Sequence, residues 1–162
     1  MVRHFLVLVT ASYAGAAACS WWLSGFVPRF LLPDLPFLAI VYAGIFLPGP
    51  IGFLAAIPPA VFREVTVSAP QWTVFLASMA LYFFSREIGM RLFLRTESFI
   101  LSVVAGLLLA ESVSLVILMR LSGSPSFSFL WGLQEAVRIA WTSLIAIPLY
   151  IDLSGRWRPV RD

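Results

Sequence analysis

The chain has 162 residues, 60% of them hydrophobic and only 12% charged, with a formal net charge of +3. Soluble domains average about 25% charged residues and roughly 45–50% apolar ones, so a water-soluble domain is excluded and an integral membrane protein is expected. All eleven cationic side chains are arginines, and all but Arg138 lie near the ends of apolar runs, where guanidinium groups snorkel to headgroups; no basic patch interleaved with aromatics, as single-strand binders use, is present.

The first predicted span covers residues 5–23. Its start, MVRH followed by an apolar run, resembles a signal peptide with small residues near Ala16 to Ala18. The run continues through Trp21 and Trp22, which suit a membrane interface, so an uncleaved helix is expected. The lone Cys19 lies inside this run and reads as a small buried hydrophobe.

Residues 35–47 and 51–65 give the second and third spans, about 20 and 22 Å long at 1.5 Å per residue. Both fall short of the roughly 20 residues of a full crossing. They meet at Pro48-Gly49-Pro50. A proline inside a helix costs about 3 kcal/mol, so a hairpin of two helices is expected there; one kinked span over 35–65 is the alternative. The third span carries Gly52, Ala56, Ala60 and Glu64 at steps of four. That stripe is small at three positions and acidic at the fourth, a surface on which helix backbones approach closely in lipid.

The fourth span covers residues 71–88, between Trp72 and the aromatic run at 82–84. A charged connection with Arg86, Arg91 and Arg95 leads to the fifth span at 98–119, where Gly106 and Ala110 are a second small pair. The polar turn RLSGSPSF precedes the sixth span at 130–151, and the tail GRWRPVRD is short and basic. The whole is read as one all-α transmembrane domain, a polytopic bundle of six helices, or five if residues 35–65 cross once. With both termini cytoplasmic, seven arginines lie inside and Arg29, Arg63 and Arg120 outside, Arg138 lying within a span; a five-span chain with its N-terminus outside gives the same count, so the positive-inside rule fixes the back half and leaves the front open.

Charges within spans are expensive and are expected to pair or to line a functional site. Glu111 of the fifth span and Arg138 of the sixth lie at matching depths on antiparallel neighbours, so an ion pair between them is expected, with Gln134 and Glu135 in the same intramembrane polar cluster. A structural clamp is the simplest role for this cluster; ligand binding and proton coupling are the alternatives. Arg63 and Glu64, adjacent in sequence, do not face one another on a helix and are expected at its outer edge. The only histidine, His4, has no Cys, Asp or Glu beside it. No nucleotide-binding, zinc or serine-hydrolase motif occurs, so no catalytic residue, metal or cofactor is expected.

From Gly52 to Glu64 the chain reads GFLAAIPPAVFRE. This register, with the Pro33-Asp34 lead-in and Tyr42, resembles the rod shape-determining protein MreD family, whose typical wording is GxxxGFxxGLxxD. Here alanines replace two glycines, Glu64 replaces the aspartate, and Pro58 and Pro59 are added. The resemblance implies a non-catalytic scaffold in the bacterial inner membrane that binds the bitopic protein MreC. It also implies membership of the elongation complex with RodA, a class B penicillin-binding protein and MreB, supporting lateral peptidoglycan synthesis and rod shape. The partner-binding face expected under it is Gly52, Ala56 and Ala60, with Arg63 and Glu64 near the outer end; packing of that face against helices of the same chain is the equal alternative. The bundle is also similar in architecture to the substrate-binding subunits of energy-coupling vitamin transporters; under that reading Glu111, Gln134 and Arg138 would line a vitamin pocket.

Overall fold

A computed structural model describes residues 33–47, 49–66, 72–91, 97–121 and 129–155, together with Thr10, Ala14 and Ala17. Apart from Thr10, Ala14 and Ala17, the first predicted span lies outside the described residues, as do residues 24–32 of the loop after it and residues 156–162 of the basic tail. The described part is helical throughout, in five helices: α1 (Leu35–Phe46), α2 (Gly49–Thr66), α3 (Thr73–Arg91), α4 (Glu97–Leu121) and α5 (Phe129–Gly155). They correspond to the second to sixth predicted spans. Residues 35–65 form two helices rather than one, packed against each other as the hairpin reading expected.

α1 lies inside an arc formed by α2, α3, α4 and α5, and packs against α2, α3 and α5. Every residue from Pro36 to Gly44 is buried, about two and a half turns at 3.6 residues per turn, so α1 is covered on all sides. That explains its uniformly apolar sequence, which shows no amphipathic stripe. Asp34 caps its start, accepting from the Phe37 N–H at 3.0 Å, and Pro36 sits in the first turn, where a missing N–H costs nothing.

Small residues set how close the helices come. A Cβ added at Gly52 would lie 2.7 Å from the Ala43 carbonyl oxygen, and one at Gly44 would lie 2.8 Å from Ser85 Cβ and from the Tyr82 carbonyl oxygen. α1 therefore touches α2 and α3 at backbone distance. Around these contacts, Tyr82 donates to the Gly49 carbonyl at 2.9 Å and Tyr150 of α5 donates to the Leu38 carbonyl at 2.9 Å. Both hydroxyls bond to carbonyls within the bundle, as low-dielectric surroundings require.

α2 runs through Pro58 and Pro59, and α5 through Pro148, without a break in either helix. The stretch Ile100–Ile117 of α4 is long and apolar enough to cross a membrane, and α1 is a shorter apolar helix. The outward faces carry large apolar side chains: Leu54 on α2, Leu76, Phe83 and Phe84 on α3, Leu109, Val113 and Ile117 on α4, and Leu133, Trp141 and Leu144 on α5. Soluble monomers rarely expose contiguous apolar surface on this scale.

Candidate functional site: an ionic ring at one end of the bundle

The helices alternate in direction, and at one end of the bundle they bring together the start of α1, the end of α2, the start of α3, the second half of α4 and the first half of α5. Each contributes polar side chains. Arg63 of α2 is 3% exposed and Glu111 of α4 is 5% exposed. They form a two-point ion pair, Arg63 Nη1 donating to Glu111 Oε1 and Nη2 to Oε2, the latter at 2.9 Å. Arg63 also donates to the Asp34 carboxylate at 3.0 Å and to the Ser78 hydroxyl of α3 at 3.1 Å. Its guanidinium lies 5.6 Å from the centre of the Phe37 ring, within cation–π range.

Asp34 joins this pair to a second one. Arg138 of α5 donates to the same Asp34 oxygen at 3.1 Å and to Glu135, one turn earlier on its own helix. The Asp34 backbone N–H donates to the Thr142 hydroxyl at 3.2 Å. Glu135 accepts in turn from the Ser112 hydroxyl of α4 at 2.6 Å, and Ser112 is the chain neighbour of Glu111. The contacts close into a ring, Asp34–Arg63–Glu111/Ser112–Glu135–Arg138–Asp34, that ties α1, α2, α4 and α5, and Ser78 joins α3 to it through Arg63. Burial on its own would raise the pKa of the Asp34 carboxyl; Arg63, Arg138 and the Phe37 N–H outweigh that and hold it below its ordinary value.

The expected Glu111–Arg138 pair is not formed. Glu111 is paired with Arg63 instead, and Arg138 is paired with Asp34 and Glu135. The matching depths were correct, since Ser112 and Glu135 bridge α4 and α5, but Arg63 reaches Glu111 from the interior side. Gln134 faces outward and is exposed, whereas Glu135 and Arg138 belong to the ring.

Of the two readings of the Gly52–Ala60 stripe, packing within the same chain is the one observed. Gly52, Ala56 and Ala60 are all buried in this chain's own core, with Gly52 pressed against α1. Arg63 lies in the last turn of α2, as expected, but it is buried in the bundle rather than turned to a partner. Glu64 is separate from it: its carboxylate accepts from the Trp72 N–H and, at 2.7 Å, from the Phe75 N–H, capping the start of α3. Helix geometry explains the split. At about 100° per residue, steps of four drift by about 40° each, so Glu64 ends about 120° from Gly52 while Arg63, eleven residues on, returns to within about 20°. The stripe that begins at Gly52 therefore ends on the arginine.

Asp34 and Ser78 were not singled out by the sequence reading as members of the cluster. A usable signal for Asp34 was its position as the acidic residue immediately before an apolar helix. Among the described residues, no group of three or more His, Cys, Asp or Glu side chains is arranged to hold a metal ion. Comparison with family models, with characterised proteins and with solved structures finds no match for this chain.

Proposed function

We propose that the chain is a six-span, non-catalytic scaffold of the bacterial cytoplasmic membrane, with both termini cytoplasmic, acting in the cell-elongation complex. In this reading it binds the bitopic protein MreC, and RodA, a class B penicillin-binding protein and MreB belong to the same assembly. The observation that carries a scaffold role is the ionic ring. Its two guanidiniums and three carboxylates are bonded to one another, so apart from the Arg138 Nε, which is buried without a partner, the polar groups that a substrate-binding subunit would turn toward a ligand are engaged in holding helices together. On the arginine distribution, the ring lies toward the periplasmic side. The sequence pattern from Gly52 to Glu64 supplies the particular complex.

The test is a pull-down of the tagged chain from native membranes in mild detergent, with partners identified by mass spectrometry. Recovery of a bitopic protein with a periplasmic coiled coil, alone or with wall synthases, is expected. Recovery of paired ATPases with a coupling membrane protein would overturn the reading in favour of a vitamin transporter. A second measurement separates the same two roles. Arg138→Ala is expected to lower the amount of folded protein with no ligand-specific effect. Normal protein level with abolished vitamin uptake would contradict the scaffold.

A further inference from the structure

The charges of the ionic ring do not balance. Three carboxylates, those of Asp34, Glu111 and Glu135, face two guanidiniums, those of Arg63 and Arg138, which leaves one negative charge in excess. The ring is also deep. Glu111 lies six residues before Ile117, the end of the apolar stretch of α4, about 9 Å inside it at 1.5 Å per residue. An uncompensated charge at that depth is expensive. Among the described residues, Arg120 is the next cation at this end of α4. It stands nine residues beyond Glu111, about 14 Å farther out, and does not neutralise the ring.

The excess sits on the side that can be reached. Arg63 and Glu111 bond each other at two points and their side chains are closed to solvent, so this inner half is neutral. The side chains of Asp34, Glu135 and Arg138 are 12%, 18% and 21% exposed, and together they carry two negative charges and one positive. Glu135 accepts from the Ser112 hydroxyl and from Arg138 on one and the same oxygen, Oε1, which leaves Oε2 to accept from a further donor. What this side of the ring offers is acceptor capacity and a negative charge.

The complement is a cation that donates hydrogen bonds, and depth and charge select its source. A metal ion needs several ligands at once, and among the described residues no group of three or more acidic, His or Cys side chains is arranged to hold one. The ammonium groups of lipids lie at headgroup level, outside the hydrocarbon in which the ring is set. A second copy of this chain would bring the same excess negative charge, and like charges facing each other repel. A Lys or Arg on a membrane helix can lay its apolar stem along hydrocarbon and carry its charge to a polar group a turn or two away. We propose that the exposed side of the ring, formed by Asp34, Glu135 and Arg138, receives the cationic side chain of a membrane-spanning helix of another protein, which brings the ring to three positive and three negative charges. This rests on the scaffold reading and moves the partner contact from the Gly52–Ala60 stripe to the start of α1 and the first half of α5.

The test is photocrosslinking in membranes of producing cells. A benzophenone side chain is placed at Gly132, which is exposed three residues before Glu135 and has open space where a Cβ would stand, and separately at Leu76, exposed on α3. At Gly132 the expected adduct maps to one membrane-spanning segment of another protein with a Lys or Arg within two turns of the attachment point; at Leu76 lipid adducts alone are expected. Glu135→Gln keeps the oxygen that accepts from Ser112 and Arg138 and removes the excess charge. It is expected to lower the Gly132 adduct about tenfold or more, the worth of a close charge pair across an interface, while the thermal midpoint of the purified chain is unchanged or rises. Replacing the mapped Lys or Arg by Met is expected to give the same loss, with no further loss when the two changes are combined. A midpoint that falls together with the adduct would show that Glu135 acts only inside the bundle and would overturn the proposal. So would adducts only to lipid or to a second copy, no adduct, the same protein adduct at both positions, a mapped segment without a cation, or a yield unchanged by Glu135→Gln. The pull-down of the intact chain is read independently. Recovery of the elongation complex with failure at Gly132 removes this contact and leaves the scaffold role standing.

Discussion

Arg63 and Glu111 are separated by 48 residues and meet in a two-point pair that is closed to solvent. Desolvating two charges is expensive, and their attraction offsets that cost only while both are present. Removing one partner leaves the other buried and unpaired. Arg63→Met or Glu111→Leu alone is expected to destabilise the bundle by about 3–5 kcal/mol. The double variant is expected to be more stable than the sum of the two, with a coupling of about 1–3 kcal/mol. Denaturation of the purified protein in detergent, followed by circular dichroism, measures the cycle. Single variants as stable as the parent would show that the pair does not hold the helices.

Asp34 provides a pH dependence with a definite sign. Its carboxyl is held below the ordinary 3.8 in the folded protein, so the unfolded chain takes up the proton first as pH falls. The contribution of Asp34 is therefore complete above 3.8 and is lost as the pH drops through the lower folded value. The difference in stability between the parent and Asp34→Asn is expected to be constant above 3.8 and to shrink below it. A difference that grows on acidification would mean that the guanidiniums do not govern this carboxyl.

Much of this architecture is legible in the sequence because helices in an apolar chain are marked by run length and by their breaks. Pro48-Gly49-Pro50 correctly separates α1 from α2, and predicted ends fall within four residues of those observed, from Glu97 to Gly155. The ionic ring is less legible. Its members are spread from Asp34 to Arg138, and depth matching between neighbours in sequence finds only the α4–α5 half. Arg63 reaches Glu111 because α1 to α3 fold α2 onto the interior, a long-range fact that no local spacing carries. The stripe of steps of four also misled, since rotation at 3.6 residues per turn transfers its far end from Glu64 to Arg63.

Two glycines on different faces are expected to respond in opposite directions. Gly52→Ala places a methyl 2.7 Å from the Ala43 carbonyl oxygen, so α1 and α2 must separate, at a cost of about 1–3 kcal/mol. Gly44 is equally confined by Ser85 and Tyr82. At Gly106 an added Cβ meets nothing within 4 Å, and replacing an unconfined helical glycine by alanine gains roughly 0.5–1 kcal/mol. Thermal midpoints of the two variants in one detergent compare them directly. If Gly52→Ala is neutral, the backbone contact between α1 and α2 is looser than these distances require.

Glu64 is expected to act on α3, not on the ring. The first turn of a helix has N–H groups without internal partners, and its dipole favours a negative charge there. The Glu64 carboxylate meets two of them, those of Trp72 and Phe75, from the end of α2. It thereby stabilises a helix start where Trp72 adopts φ of 67°, a left-handed conformation that costs a non-glycine residue about 1–2 kcal/mol. Losing a side chain that caps a helix costs typically about 1 kcal/mol, and Glu64→Ala is expected to cost that much, with Glu64→Gln retaining part through its carbonyl. The loss should be local. Hydrogen exchange at the Trp72 and Phe75 amides should accelerate in Glu64→Ala, while the amides around Arg63 and Glu111 remain protected. Acceleration at both places would place Glu64 inside the ionic ring after all, and no change at Trp72 and Phe75 would remove the cap.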